Sequence, residues 1–218
     1  MSCSSALEKF INSYLNSYQD ALSELPRYYP MGVDSPCIMQ TFDEQSEDAV
    51  YWQPVKREQA GDFDNVATAL TMALHQDINQ FYGTFFSAPL QFNSPWGEGE
   101  LLLAWSLDDF EYLQQNIIGH LIMKQKLKQA PTWFIGVLDE GDAMLTVDNE
   151  TGAVWIEIPG EVPNTELAAS IADFIATLTP RITPALKPVQ EINEQWQHPG
   201  IWQRMKLMWQ DLTQRMRK

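Results

Sequence analysis

The chain has 218 residues, 44% of them apolar and 11% aromatic, which is enough for one sizeable core and excludes wholesale disorder. With 29 acids against 14 Lys and Arg the formal charge is -15, and an acidic surface repels phosphate, so direct nucleic-acid binding by the main body is excluded. Two cysteines, Cys3 and Cys37, make no disulfide scaffold, no segment approaches the ~18 continuous apolar residues of a membrane span, and MSCSSALEKF does not read as a signal peptide, so a reducing cytoplasm is expected.

Leu7, Phe10, Ile11, Tyr14, Tyr18, Leu22 and Leu25 recur at helical spacing and predict an amphipathic helix over residues 5–25, ended by Pro26 and Pro30. Cys37-Ile38-Met39 and Ala49-Val50-Tyr51-Trp52-Gln53 read as two strands of a hairpin whose tip is the acidic stretch Asp43 to Asp48. Asp64 is a candidate cap for a second helix running through Val66, Leu70, Leu74, Ile78 and Phe81. From Gly83 to Gly99 the chain reads as irregular, with a strand near Leu90-Gln91-Phe92, and Leu101 to Trp105 reads as a buried strand.

The next helix has the clearest start. Ser106 is the candidate N-cap with Asp109 three residues on, near a capping box. Asp108, Asp109 and Glu111 lie in its first turns, and Lys124 and Lys126 in its last, a polarity that complements the helix dipole. Thr132 to Leu138 reads as a strand. Ala143–Val147 and Ala153–Ile158 flank Asp148-Asn149-Glu150-Thr151-Gly152, a hairpin signal with glycine at the loop's end. A helix is expected from Thr165 to Leu178. The order predicts an α+β fold: a largely antiparallel sheet flanked by N-terminal, central and C-terminal helices.

Pro180, Pro184 and Pro188 mark a boundary between a domain over 1–186 and an extension over 187–218. The extension reads as a basic amphipathic helix: Ile201, Met205, Met208, Leu212 and Met216 with Trp202 and Trp209 on one face, Arg204, Lys206, Arg215, Arg217 and Lys218 on the other. Such a helix suits packing on an acidic body, its own or a partner's, or an anionic membrane surface through Ile201–Lys218. Charge follows the same boundary: residues 1–186 carry -18 and residues 187–218 carry +3. From Glu58 to Met123, and again from Asp139 to Asp173, there are nine acids and no Lys or Arg. The two readings are solubility and a docking field for a cationic partner.

Catalytic signals are weak. His75, His120 and His198 have no companions at metal-ligand spacing beyond His75-x-Asp77, and read as structural. There is no Gly-x-Ser-x-Gly elbow, Cys37 has no basic neighbour to activate it, and the carboxylates within Gly97-Glu98-Gly99-Glu100 repel a phosphate. Asp108-Asp109 reads first as favourable charge at a helix start. Trp52, Trp105, Trp133 and Trp155 read as core residues on strands, with one exposed aromatic a candidate partner contact. No cofactor, metal or catalytic residue is assigned.

Pro36-Cys37-Ile38, Glu47-Asp48-Ala49-Val50-Tyr51-Trp52-Gln53-Pro54, Phe81-Tyr82 and the long block from Ala104-Trp105-Ser106 through Asp108-Asp109-Phe110, Gln114, Asn116, Ile118-Gly119-His120-Leu121, Gln125-Lys126-Leu127-Lys128 and Pro131-Thr132 to Phe134-Ile135 occur in order. Over about residues 1–186 this resembles the bacterial SecY-interacting Syd family. The resemblance implies a non-enzymatic α+β protein on the cytoplasmic side of the inner membrane, loosely attached through SecY of the translocase, which it regulates or checks. It implies a concave electronegative face that meets basic cytosolic loops of SecY. The acids that carry over by position are Glu47, Asp48, Asp108, Asp109 and Glu140. Two rivals stand beside this reading: an immunity-type module that neutralises a basic toxin on the same fold, and a hydrolase using converging carboxylates. The extension beyond Lys187 lies past the usual end of the family.

Overall fold

Helix α1 runs Cys3–Leu22, with the Ser2 hydroxyl accepting a hydrogen bond from the Ser5 N–H and Ser23 closing the far end in the left-handed region. Its buried stripe is Cys3, Ala6, Leu7, Phe10, Ile11, Tyr14 and Tyr18, while Leu22, expected on that stripe, is exposed and Leu25 lies beyond the helix end. The computed structural model describes residues 1–139 and 143–187. The expected helix at Ile201–Lys218 and the carried-over Glu140 lie outside them.

Strands β1 (Arg27–Tyr28) and β2 (Val50–Tyr51) pair antiparallel. The expected hairpin partner also reaches this ladder: Ile38 bridges Trp52, the Met39 N–H donates to the Tyr51 carbonyl and the Gln53 N–H to the Cys37 carbonyl. The acidic stretch therefore does connect two paired segments, and the second of them, β2, lies between the first and β1. A two-residue strand between Pro26 and Pro30 has too little length to show a period of two.

Strand β3 (Val55–Lys56) leads to helices α2 (Asp64–Leu70) and α3 (Gln76–Gly83), where a single helix was expected. Thr71 adopts a left-handed conformation, φ 51°, which stops the first helix. His75 restarts it by accepting the Asp77 N–H at 3.3 Å. Strand β4 (Phe85–Phe86) pairs with β3. Strands β5 (Leu90–Ser94) and β6 (Gly97–Leu101) form a hairpin, so the stretch expected to be irregular carries two sheet strands. Only Leu101 of the expected strand Leu101–Trp105 lies in one. Residues 102–105 are buried without being extended ladder residues, because apolar content alone does not separate a strand from a buried connector.

Helix α4 (Leu107–Lys126) and strand β7 (Thr132–Leu138) fall where predicted. Strands β8 (Met144–Asp148) and β9 (Val154–Glu157) form the expected hairpin. Gly152 sits at φ 77°, and a Cβ there would meet the His75 ring at 2.5 Å, so both backbone and space demand glycine. The expected helix from Thr165 splits into strand β10 (Thr165–Ala168) and helix α5 (Ile171–Ala176), which starts at a Ser170 cap. Strand β11 (Thr179–Pro180) follows where only a boundary was expected.

The main sheet has seven strands in the order β10-β9-β8-β7-β6-β5-β11, each neighbouring pair antiparallel. With the five helices found among the described residues this is the expected α+β architecture. Strand β7 is buried along its whole length, the mark of a central strand covered on both faces. Helix α4 packs on it, while α1 packs on α3, α5 and β11. One contiguous core contains Tyr14, Trp52, Phe63, Trp105, Phe110, Trp133 and Phe174.

Candidate functional site

Two acidic segments hang on one aromatic cluster. The Trp52 and Trp105 rings lie edge to face, centroids 6.2 Å apart, and the Tyr28 ring lies tilted against Trp105 with centroids 4.9 Å apart. The Trp105 indole N–H donates to the Val33 carbonyl and the Ser35 hydroxyl to the Trp105 carbonyl. Trp52 follows the acidic loop 43–48 and Trp105 immediately precedes Ser106, the cap of α4, so this cluster fixes both acidic segments to the same framework.

The loop is shaped by its own side chains. Asp43 accepts the Gln45 N–H at 3.0 Å, and the Ser46 hydroxyl accepts the Asp48 N–H at 3.1 Å while donating to the Asp48 carboxylate at 3.2 Å. Glu47 is exposed and its Oε2 lies 2.6 Å from the Lys187 ammonium. Lys187 holds the Glu47 carboxyl below the usual range, and Glu47 in return raises the Lys187 ammonium, with a smaller push from Asp48. Glu47 and Asp48 are thus together on one exposed loop, facing a cation of the same chain.

At α4 the two neighbouring acids have different surroundings. Ser106 accepts the Asp109 N–H at 3.2 Å, and the Asp109 Oδ2 accepts the Trp105 N–H at 2.7 Å. Asp109 is buried, 5% exposed, and its charge with that of Glu100 adds to burial in raising the Tyr28 phenol. Asp108 is exposed in the first turn, as is Glu111 one turn on. Gln114 donates to the Asp62 carbonyl at 2.8 Å and accepts from Asn65 at 2.9 Å, which brings the exposed Asp62 and Asp64 to the same helix. This group of acids, α2's start against α4's first half, has no sequence signature because its members lie about fifty residues apart.

A third acidic group surrounds Arg181. Its guanidinium pairs with Glu98 and Asp139, the latter at 2.7 Å, and donates to the Gln91 side chain. Glu140 is next to Asp139 in sequence, outside the described residues.

The buried thiols, His120 and Lys124 are structural in this geometry. Cys3 and Cys37 are buried free thiols, and burial pushes Cys37 up to about 11, far from thiolate chemistry at neutral pH. His120 is buried and hydrogen-bonded to Thr132 at 3.1 Å. Burial pushes its pKa down to about 4, so it is neutral near pH 7. Lys124 lies in the last turn of α4, as expected, and is buried there against Glu157 at 3.0 Å. Among the described residues no group of three or more His, Cys, Asp or Glu is placed to hold a metal, and no helix is long and apolar enough to cross a membrane.

The Syd protein family (SUKH-2) matches residues 4–180. The chain is 84% identical to Protein Syd of Shewanella denitrificans over 218 residues, covering all of both chains. It is 61% identical to Protein Syd of Shewanella frigidimarina over 215 residues, covering 99% of this chain and 100% of that one. It is also 56% identical to Protein Syd of Shewanella loihica over 216 residues, covering 97% and 98%.

Proposed function

Because the chain belongs to the Syd family, we propose that it is a non-enzymatic peripheral protein that docks an acidic face on basic cytosolic loops of SecY and regulates or checks the translocase. The observation that carries the docking step is the exposed acidic loop Glu47-Asp48 fixed, through Trp52 and Trp105, to the same framework as the acids of α4. Cytoplasmic loops of membrane proteins are enriched in Lys and Arg, so a body of charge -18 has a counterpart there. Long-range attraction speeds encounter and orients the partner, while a few desolvated contacts set residence time.

Within this reading Glu47, Asp48 and Asp108 meet the partner directly. Asp109 supports them by holding the Trp105 turn in place. The protein works on the cytoplasmic side of the inner membrane. The basic segment Ile201–Lys218 adds a contact with anionic headgroups.

The test is binding of the full-length chain to SecY complex in lipid nanodiscs, with Glu47→Lys/Asp48→Lys beside the wild type. The expected result is a loss of at least tenfold in affinity, carried mainly by association rate. Unchanged binding by the double variant contradicts the role of this loop. Wild-type failure to bind SecY at all contradicts the whole reading and favours the immunity-type alternative. Empty nanodiscs in the same series read the lipid contact alone.

A further inference from the structure

The described chain ends in a strap that crosses from the sheet edge to the acidic loop. Thr179 and Pro180 pair with Asn93 and Phe92, and the Arg181 N–H donates to the Gln91 carbonyl. Arg181 is held by Glu98, Asp139 and Gln91. Thr183 is clamped from both sides by one phenol: the Tyr18 hydroxyl donates to its carbonyl at 3.1 Å and accepts its N–H at 3.2 Å. Beyond Pro184 the hold weakens. Leu186 is 82% exposed, and Lys187 reaches the loop through a half-exposed ion pair with Glu47.

The strap thus has a fixed root and a releasable tip. The root combines ladder hydrogen bonds, a guanidinium with three partners and a two-way hydroxyl clamp, and it cannot lift without losing all of them. The tip is one solvent-accessible pair, which contributes little and is screened by salt. Yet that pair occupies Glu47, an acid of the proposed docking loop, with the kind of charge a basic partner brings. The family match ends at residue 180, so the strap lies just beyond the matched residues.

We propose that residues 181–187 form an intramolecular competitor strap, in which Lys187 occupies Glu47 and a cationic partner segment binds by displacing it while Arg181 and Thr183 keep the root in place. This inference rests on the acidic-docking reading above. A ligand that must first release an occupied acid has its affinity reduced by the fraction of molecules in which that acid is free. Removing the occupant therefore tightens binding. The strap also imposes selectivity: a single lysine exchanges one ion pair for another, whereas a segment with several cations gains neighbouring Asp48 as well.

The experiment titrates the full-length protein with a short lysine-rich peptide at low salt by calorimetry. It compares wild type, Lys187→Ala, Glu47→Ala, the double variant, and Lys56→Ala. Lys56 is the matched control, since it removes the same charge from another exposed ion pair, that with Glu8 at 3.4 Å. The expected result is a two- to fivefold affinity gain for Lys187→Ala, the scale of one exposed pair, a smaller gain for Lys56→Ala, and no gain from Lys187→Ala once Glu47 is alanine. Equal gains from Lys187→Ala and Lys56→Ala overturn the strap and leave the docking reading standing, because the effect is then net charge alone. A gain that persists in the Glu47→Ala background overturns it too. Failure of the peptide to bind either wild type or Lys187→Ala overturns the docking reading and the strap together.

Discussion

The Lys124 ammonium sits 3.0 Å from the Glu157 carboxylate with both side chains out of solvent, 1% and 0% exposed. Thr132 donates to the other Glu157 oxygen at 2.8 Å, and His120 meets the Thr132 hydroxyl at 3.1 Å. The network joins α4 to β7 and β9. It therefore sets where the helix that carries Asp108 and Glu111 sits on the sheet. Burying two charges is costly, and the pair persists because each charge satisfies the other and Thr132 completes the carboxylate.

Removing one partner should be worse than removing both. Lys124→Met leaves Glu157 buried without its cation and is expected to lower stability by about 3–5 kcal/mol. Lys124→Met with Glu157→Gln should recover much of that loss, since no uncompensated charge remains. Urea denaturation near neutral pH measures both. A single variant within about 1 kcal/mol of wild type contradicts a buried, water-free pair.

The same network predicts an acid response. The folded pKa of His120 is pushed down to about 4 from 6.5, first by burial and further by Lys124, against the opposing pull of Glu157 and the Thr132 contact. Unfolded chains take up a proton below about pH 6.5 that the folded protein refuses until about pH 4, so stability is lost as pH falls through that window. The contribution is about 3 kcal/mol across the full interval and nil above it. His120→Gln, which keeps an amide opposite Thr132, should lose less stability than wild type between about pH 7 and about pH 4.5. Identical pH slopes for the two proteins contradict a neutral buried imidazole.

Adjacent acids on α4 should behave differently. Asp109 closes the Trp105–Ser106 turn, so Asp109→Ala is expected to cost about 1–3 kcal/mol by leaving the Trp105 N–H without its acceptor. Asp108 is exposed, and Asp108→Ala should cost only a few tenths of a kcal/mol, the scale of a dipole interaction. Thermal or chemical unfolding separates them. In the SecY assay the order reverses once folding is accounted for: Asp108→Ala weakens association, while any Asp109→Ala loss tracks its unfolded fraction.

How much of this was legible in the sequence depended on whether the signal was local. Ser106 and Asp109 lie within one turn, and the cap they form was readable; so was the hairpin around Gly152, where a positive φ selects the residue. The run Thr132–Leu138 has enough β-formers to declare a strand. By contrast, Thr71 gives no residue-type warning of its left-handed turn, so α2 and α3 read as one helix. Thr165–Ala168 shares its apolar spacing with the helix behind it, and only pairing with β9 makes it a strand. The site followed the same division. Glu47 and Asp48 are readable as an acidic loop, but the contact of Glu47 with Lys187 spans 140 residues. The neighbouring acids Asp62 and Asp64 join α4 through Asn65 and Gln114, which no short pattern records. The place of Lys124 at the helix end is legible too, but its buried pairing with Glu157 is not, the partner being 33 residues away on another element.

The most direct measurement of the central claim is equilibrium binding of the full-length chain to SecY complex in nanodiscs across a salt series, beside empty nanodiscs. Exposed charges separated by more than about 10 Å are screened near 0.1 M salt, so docking through acidic loops must weaken as salt rises. The account predicts binding that requires SecY and falls steeply and steadily with salt, mostly through slower association. Binding that is independent of salt, or equally strong to empty nanodiscs, contradicts it.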